Sequence, residues 1–311
     1  MTKHTVTDAD HDIRLDRWFK RHYPALTHGL LEKALRKGEI RLDSKKAKAS
    51  DRIATGRVID IRCQMPDADP KKLTPDTRNL TNEDARMMQE AVLYKDADII
   101  VLNKPSGLAV QGGSGISKSV DSLLDALRFE ATGRPKLVHR LDRDTSGALI
   151  LARSAKAATR LMHAFAKKET EKTYWALIKG VPEIRQGKID LPLAKQEEGD
   201  KEKVAINEED GKNAVTYYRV LDRLSSTLAW VELMPVTGRT HQLRVHMASI
   251  GHPILNDGKY GGREAFIDGM EFSRKLHLHA RRIVIPGLID VTAPLPEHMK
   301  NSWAMLGLSD I

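Results

Sequence analysis

The densest group of reactive side chains in the sequence is His139-Arg140-Leu141-Asp142-Arg143-Asp144-Thr145-Ser146-Gly147. Two carboxylates and two guanidinium groups within five residues can perform acid–base or nucleophilic chemistry if something holds them still. The plain alternative is a tight turn whose Asp, Thr and Ser satisfy their own backbone donors. A second group runs from Thr237 to Met247 (Thr-Gly-Arg-Thr-His-Gln-Leu-Arg-Val-His-Met), followed by Gly251-His-Pro-Ile-Leu-Asn-Asp-Gly-Lys-Tyr260. Its alternation of polar and apolar residues predicts a strand, with Arg244 and His246 on one side and Leu243 and Val245 facing the core. His241, His246, His252, His277 and His279 could in principle hold zinc, but HExxH spacing is absent, so hydrogen-bonded turn and strand residues are the better reading. Gln111 to Gly115 with Lys118-Ser119 looks like a phosphate loop, yet Ser117 stands where a Walker A element needs glycine before its lysine. Nucleotide hydrolysis is therefore disfavoured, and these glycines fit better as an edge of a cleft.

Positioning falls to the elements around these groups. Asp98-Ile-Ile-Val-Leu-Asn103 reads as a strand, broken by Lys104-Pro105-Ser106-Gly107 before Leu108-Ala109-Val110. The 139–147 cluster runs straight into the apolar strand Ala148 to Ala152, after which Ser154 can cap a helix with Ala158, Leu161, Met162 and Phe165 on its buried face. A loop clamped by a strand and a helix is how a scaffold fixes reactive side chains. Tyr174-Trp-Ala-Leu-Ile178 reads as a half-buried strand. Near the start, Leu15, Trp18 and Phe19, then Leu30, Leu31, Ala34 and Leu35, predict two amphipathic helices, the second ending at Gly38. Ile40 and Leu42, then Ile53, Val58, Ile59 and Ile61, predict short strands around Thr55-Gly56. From Gln64 to Asn82 the chain carries Pro66, Pro70 and Pro75 among polar residues, too little apolar material for a core. The resulting organisation is a small domain over 12–63, a linker over 64–90 and a larger domain over 91–311.

The 311 residues suffice for two domains, and 41% apolar residues suffice for their cores. The net charge of +9 favours a polyanionic partner, because Lys and Arg bound to phosphates release condensed counterions. The first 62 residues hold fifteen Lys/Arg against nine Asp/Glu, hence +6 of that total. Within them Lys33, Arg36, Lys37, Arg41, Lys45, Lys46 and Lys48 can line a groove for a phosphate backbone, a merely solvated face being the alternative. The sequence has one cysteine, Cys63, which rules out an internal disulfide or a multi-Cys zinc site. Neither an apolar run near the roughly 20 residues of a membrane span nor a secretory apolar region at the start is present, so a cytoplasmic protein is expected.

His139 to Gly147 matches all seven specified residues of the signature H-R-L-D-x-x-T-S-G, and the chain thereby resembles the pseudouridine synthases of the type of ribosomal large-subunit synthases A, C and D. The segment LNKPSGLAVQGGSG, residues 102–115, looks more like the C type than the A type. The Arg14-Leu15-Asp16-Arg17-Trp18 start and the hairpin over 35–61 resemble an S4-type RNA-binding domain. The likeness covers about residues 12 to 62 and 91 to 300. It implies an α+β protein with a mixed, largely antiparallel sheet, flanking helices and a central cleft, preceded by a small S4-type αβ module. It implies further that Asp142 is the catalytic aspartate and that Arg140 fills the gap left by a flipped-out uridine. Tyr174 of Lys172-Thr173-Tyr174 would stack on the uracil, and Arg244 would pair with the aspartate. Asn256 departs from the family's frequent glycine in G-H-P-I-x-G-D, which bears on the local turn. The implied partner is 23S ribosomal RNA or an assembling large subunit, bound by a monomer with no membrane, metal or cofactor, and the rival is a noncatalytic RNA-binding assembly factor.

Overall fold

The computed structural model describes residues 2–23, 26–65, 80–112, 116–198, 201–267 and 273–308; Pro66, Pro70 and Pro75 of the linker and Gly113 to Gly115 of the glycine-rich loop lie outside these. The chain divides into two compact units, 1–78 and 79–311.

The first unit contains β1 (Thr2–Thr5), β2 (Ile13–Arg14), α1 (Leu15–His22), α2 (His28–Lys37), β3 (Ile40–Leu42), β4 (Lys45–Lys46), β5 (Arg52–Ile53) and β6 (Val58–Ile61). The helices form as their sequence spacing predicts, with Leu15, Trp18 and Phe19 sealed in the core beside Leu31, Ala34 and Leu35. Thr27 caps α2 by accepting from the Leu30 N–H, and Gly38 ends it at a φ of 73°, where a side chain would be strained. Leu30 is a departure, 51% exposed, because it precedes Leu31 by one residue and so lies about 100° off the buried stripe. The antiparallel sheet β1-β6-β3-β4 sends Ile40, Leu42, Ile59 and Ile61 into the same core, alternate residues along each strand. Lys33, Arg36, Lys37, Lys45, Lys46 and Lys48 are all exposed. Arg41 is used internally, its Nε donating to the Gly38 carbonyl at 3.1 Å and its Nη1 to that of Ser44 at 3.2 Å.

The second unit begins with α3 (Asn82–Glu90), in a stretch that sequence composition assigns to the linker. Thr81 caps this helix and Met88 is 1% exposed in the core, where Leu80, Ala85 and Met87 also pack, so a few well-placed apolar residues and a cap outweigh the polar composition. There follow β7 (Val92–Lys95), β8 (Ile99–Lys104), α4 (Val120–Leu123), β9 (Lys136–Leu137), β10 (Ser146–Ala152), α5 (Ala155–Ala166), β11 (Glu171–Lys179) and β12 (Gln186–Asp190). Then come β13 (Leu193–Glu198), β14 (Lys201–Ile206), β15 (Val215–Arg223), β16 (Leu228–Pro235), α6 (Gln242–Ser249), β17 (Leu278–Ile285), β18 (Ile289–Thr292) and α7 (Glu297–Met305). The main sheet has the order β12-β15-β16-β11-β17-β10-β8-β7, with β18 beside β17 and β9 beside β10. Its described pairings are antiparallel except β10 with β17, so the sheet is mixed.

Every residue of β10 is buried. Leu149 and Leu151 face one layer with Ile100, Leu102 and Leu124, while Ala148, Ile150 and Ala152 face the other against Ala157, Ala158 and Leu161 of α5. Coverage on both faces explains why this strand reads as an unbroken apolar run. Each such Leu or Ile contributes roughly 2 kcal/mol on burial, enough to make β10 a rigid rail for the loop that enters it. Met162, expected on the buried face of α5, is instead 48% exposed. Among the described residues no helix is long and apolar enough to cross a membrane.

Candidate active site

The loop from His139 to Thr145 is fastened at each end and in the middle. At its start the His139 Nε2 accepts from the Ile150 N–H at 2.8 Å, and the ring stacks on Phe165 at 4.5 Å. Burial pushes this imidazole down to about 3, with the Lys172 charge adding to the effect, so it stays neutral and Nε2 remains an acceptor. At its end the Ser146 hydroxyl meets His279 Nδ1 at 2.9 Å, and Gly147 lies so close to β17 that a Cβ would stand 2.3 Å from the Ala280 carbonyl oxygen. With a φ of 109° this position requires glycine on both counts.

The middle is held by the turn after β8. Lys104 is 1% exposed, and its Nζ donates to the carbonyls of Pro105 at 2.9 Å, Leu108 at 2.8 Å and Arg143 at 3.0 Å. Burial lowers this amine to about 7, opposed by the charges of Asp144 and Asp142. The Gly107 N–H donates to Arg143 at 2.9 Å and the Ser106 hydroxyl to the Asp144 carbonyl at 2.8 Å. Reading the sequence alone treats 104–107 only as a strand break and misses Lys104; the signal is a lysine closing an otherwise apolar strand just before Pro-Ser-Gly.

Asp142 faces α6. The 242–249 segment is a helix and not the strand that its alternation suggests, and Leu243, Arg244, Val245 and His246 are all buried. Alternation fails as a guide because the polar members are buried by partners remote in sequence. His246 is bonded to the Thr216 hydroxyl at 2.9 Å and the Leu191 carbonyl at 3.1 Å. Arg244 forms a two-pronged ion pair with Asp257 at 2.7 and 2.6 Å. The expected direct pairing of Arg244 with Asp142 is therefore replaced; Asp257, 1% exposed, occupies the guanidinium. Burial alone would lower the Arg244 pKa, but the Asp257 hydrogen bond and charge, together with the Asp142 charge, raise it.

Among the described residues the imidazole of His241 stands near Asp142, its Nε2 4.0 Å from Oδ1. His241 has a left-handed backbone, φ 53°, and its Nδ1 is 2.6 Å from the Tyr260 hydroxyl. That hydroxyl also accepts from the Val204 N–H at 3.3 Å, which ties the Tyr260–His241 pair to β14. Burial lowers the His241 pKa, the Asp142 charge opposes this, and Arg244 and Lys259 reinforce it. The Tyr260 ring covers Arg244, 5.0 Å from Cζ. His241, Tyr260 and Asp257 are site residues that the sequence reading does not assign.

Asp142 and Arg244 line two cavities. The first, about 510 Å³, is also lined by Arg140, Phe165, Lys172, Tyr174 and Leu243. Its size suits a small planar ligand and its walls mix apolar faces with a few cations. Tyr174 lies half-buried on β11, and burial together with the Asp142 charge raises its pKa, keeping the hydroxyl protonated. The second cavity, about 580 Å³, is lined by Arg143, His241, Lys259, Arg274 and Lys275. Asn256 adopts a φ of 64° and donates to the Ser273 carbonyl at 2.7 Å, which shows how asparagine serves at the turn where glycine is common. Of the histidines weighed as metal ligands, His277 and His279 are instead hydrogen-bonded in the core, to Ser302 at 2.7 Å and to Ser146.

The family profile described as RNA pseudouridylate synthase matches residues 98–249, which span the loop, Tyr174 and Arg244. The chain is 42% identical to the ribosomal large subunit pseudouridine synthase C of Rickettsia bellii, over 88% of this chain and 89% of that one. The chain belongs to the RNA pseudouridylate synthase family. The synthase C of Vibrio vulnificus is 34% identical over 96% of both chains, and RNA pseudouridine synthase 4, mitochondrial, of Arabidopsis thaliana is 34% identical over 93% of this chain and 78% of its own. Among solved structures, human RNA pseudouridylate synthase domain containing 4 superposes with a TM-score of 0.60 at 28% identity, covering 73% of this chain and 96% of that one. Human RNA pseudouridylate synthase domain containing 1 superposes with a TM-score of 0.54 at 30% identity, covering 66% and 83%. The pseudouridylate synthase fold thus carries the mixed sheet that positions Asp142.

Proposed function

We propose that this protein isomerises uridine to pseudouridine in 23S ribosomal RNA, free or in an assembling large subunit, with Asp142 as the catalytic carboxylate. The observation that carries the reading is the stationing of Asp142, on a loop fixed from three sides, at the rim of a cavity faced by Tyr174. Relatives named for the large ribosomal subunit support the substrate class. The uracil of an extruded uridine would lie on Tyr174, whose face restrains the plane of the base while permitting it to turn. Arg140, exposed at the cavity rim, would occupy the vacated place in the RNA.

Two routes fit this arrangement. In one, an Asp142 oxygen attacks C1′ and the N1–C1′ electron pair leaves with the uracil; after rotation C5 attacks C1′ and expels the carboxylate. In the other, Asp142 removes the C2′ proton, uracil departs to leave a glycal, and C5 adds to C1′ as the proton returns to C2′. Both finish with C5 losing a proton and N1 holding one. The isomerisation is redox-neutral and consumes nothing, so the proposal includes no cofactor or metal; it also takes the protein to be a cytoplasmic monomer.

The first unit, in this proposal, is an S4-type module over 12–63 that holds RNA through Lys33, Arg36, Lys37, Lys45, Lys46 and Lys48. Its exposed cations and independent core support that role. Replacing Lys45, Lys46 and Lys48 with Gln should lower the salt dependence of RNA binding by about two units of log–log slope. Asp142→Asn decides between an enzyme and a noncatalytic assembly factor: pseudouridine formation in ribosomal RNA should vanish while RNA affinity holds, and product from the variant would refute the mechanism.

A further inference from the structure

The second cavity has no part in the chemistry described so far, yet it shares Asp142 and Arg244 with the first. The two differ in kind. The first offers Phe165, Tyr174, Leu243 and Leu278 to a base. Among the described residues the lining of the second holds no Phe, Tyr or Trp, and Leu276 is its one large apolar side chain, so charged and polar groups dominate it. Its lining instead holds five Arg/Lys against two Asp. Two of the cations are matched internally, Arg143 by Asp144 at 3.0 Å and Arg244 by Asp257 at 2.6 Å. Arg274 and Lys275 add positive charge from exposed positions, and Lys259, also exposed, lines the cavity with them.

A nucleotide has its base on one side of the ribose and its phosphodiester on the other, and the ribose must sit against the catalytic carboxylate. Asp142 stands on the partition between an aromatic cavity and a cationic one. Resting on the function proposed above, we infer that the second cavity is a phosphodiester subsite, in which Arg274 and Lys275 hold the backbone linkage flanking the target uridine. Cation–phosphate contacts here act on the strand that carries the reacting sugar, and so fix C1′ and C2′ relative to Asp142.

The test uses a ribosomal RNA fragment that the wild-type full-length protein converts, prepared with either a phosphate or an uncharged methylphosphonate at each linkage flanking the target. Dissociation constants are measured for wild type and for the Arg274→Gln/Lys275→Gln double variant, whose changes lie on the surface. On all-phosphate RNA the variant should bind about tenfold more weakly, with a salt slope reduced by about one. With one particular methylphosphonate the wild type should weaken by a similar factor, and the variant should lose no more. Losses that multiply with both substituted linkages, or a variant that binds like wild type, overturn the subsite. Absence of pseudouridine from every fragment offered to the wild type overturns the underlying function instead.

Discussion

Arg244 fastens its guanidinium to Asp257, thirteen residues further along the chain, and acts on Asp142 through its charge alone. A guanidinium locked in a two-pronged bond cannot swing, so the field at Asp142 is fixed before any substrate arrives. Asp257 is thereby as much a part of the site as Arg244.

Removing Asp257 should be costly in two ways. Asp257→Ala leaves a buried guanidinium without its partner, which destabilises by roughly 3–5 kcal/mol. Urea unfolding followed by circular dichroism should show that loss. Asp257→Asn keeps the shape and should cost less. A near-neutral Asp257→Ala would show that the pair is not what fixes Arg244.

Lys104 ties three carbonyls together beneath the Asp142 loop. Lys104→Met keeps the length of the side chain and leaves those acceptors unmatched, at a cost of about 2–3 kcal/mol. The sign of its pH dependence also follows. Its folded-state pKa is about 7 against 10.5 for the free amine, so the unfolded chain holds the extra proton between these values. This group therefore contributes a rise in stability from about pH 7 toward 10.5, which the methionine variant should lack in parallel unfolding series.

His277 and His279 are fully buried and pushed down to about 3 and about 4. Both stay neutral in the folded protein while the unfolded chain takes up protons below 6.5. Stability should fall as pH drops from 6.5 toward 4, by up to about 1.4 kcal/mol per pH unit for each. His277→Gln should remove one proton from that slope, and an unchanged slope would contradict the assignment.

Gly147 tolerates no side chain. Gly147→Ala drives a methyl group into the Ala280 backbone at a positive φ, and should cost about 3 kcal/mol or more in thermal or urea unfolding. Stability equal to wild type would mean that β10 and β17 can part at this point.

What the sequence carried and what it did not follow one physical line. The helices of the first unit, β8, β10 and the Ser154 cap rest on local spacing, and local spacing is written in neighbouring residues. α6 shows where that ends: Leu243-Arg244-Val245-His246 alternates like a strand, yet helix is chosen because Asp257, Thr216 and Leu191 arrive from elsewhere to satisfy the buried polar groups. Arg140, Asp142, Tyr174 and Arg244 are brought to one cavity, as their motifs suggest, while Lys104, His241, Asp257 and Tyr260 acquire meaning only through contacts across the fold. A lone lysine at the end of a strand looks like any solvated residue until three carbonyls close around it.

The parallel contact between β10 and β17 bears on how the protein matures. Ser146 and His279 meet across 133 positions of sequence, and His279 is bonded in turn to the Ala293 carbonyl. A nascent chain that has emerged as far as Lys275 already contains Asp142, Tyr174 and Arg244, but lacks the strand against which the reactive loop is clamped. The loop must therefore await β17, and a protein clipped shortly before Leu278 would keep Asp142, Tyr174 and Arg244 while losing the brace that holds the loop.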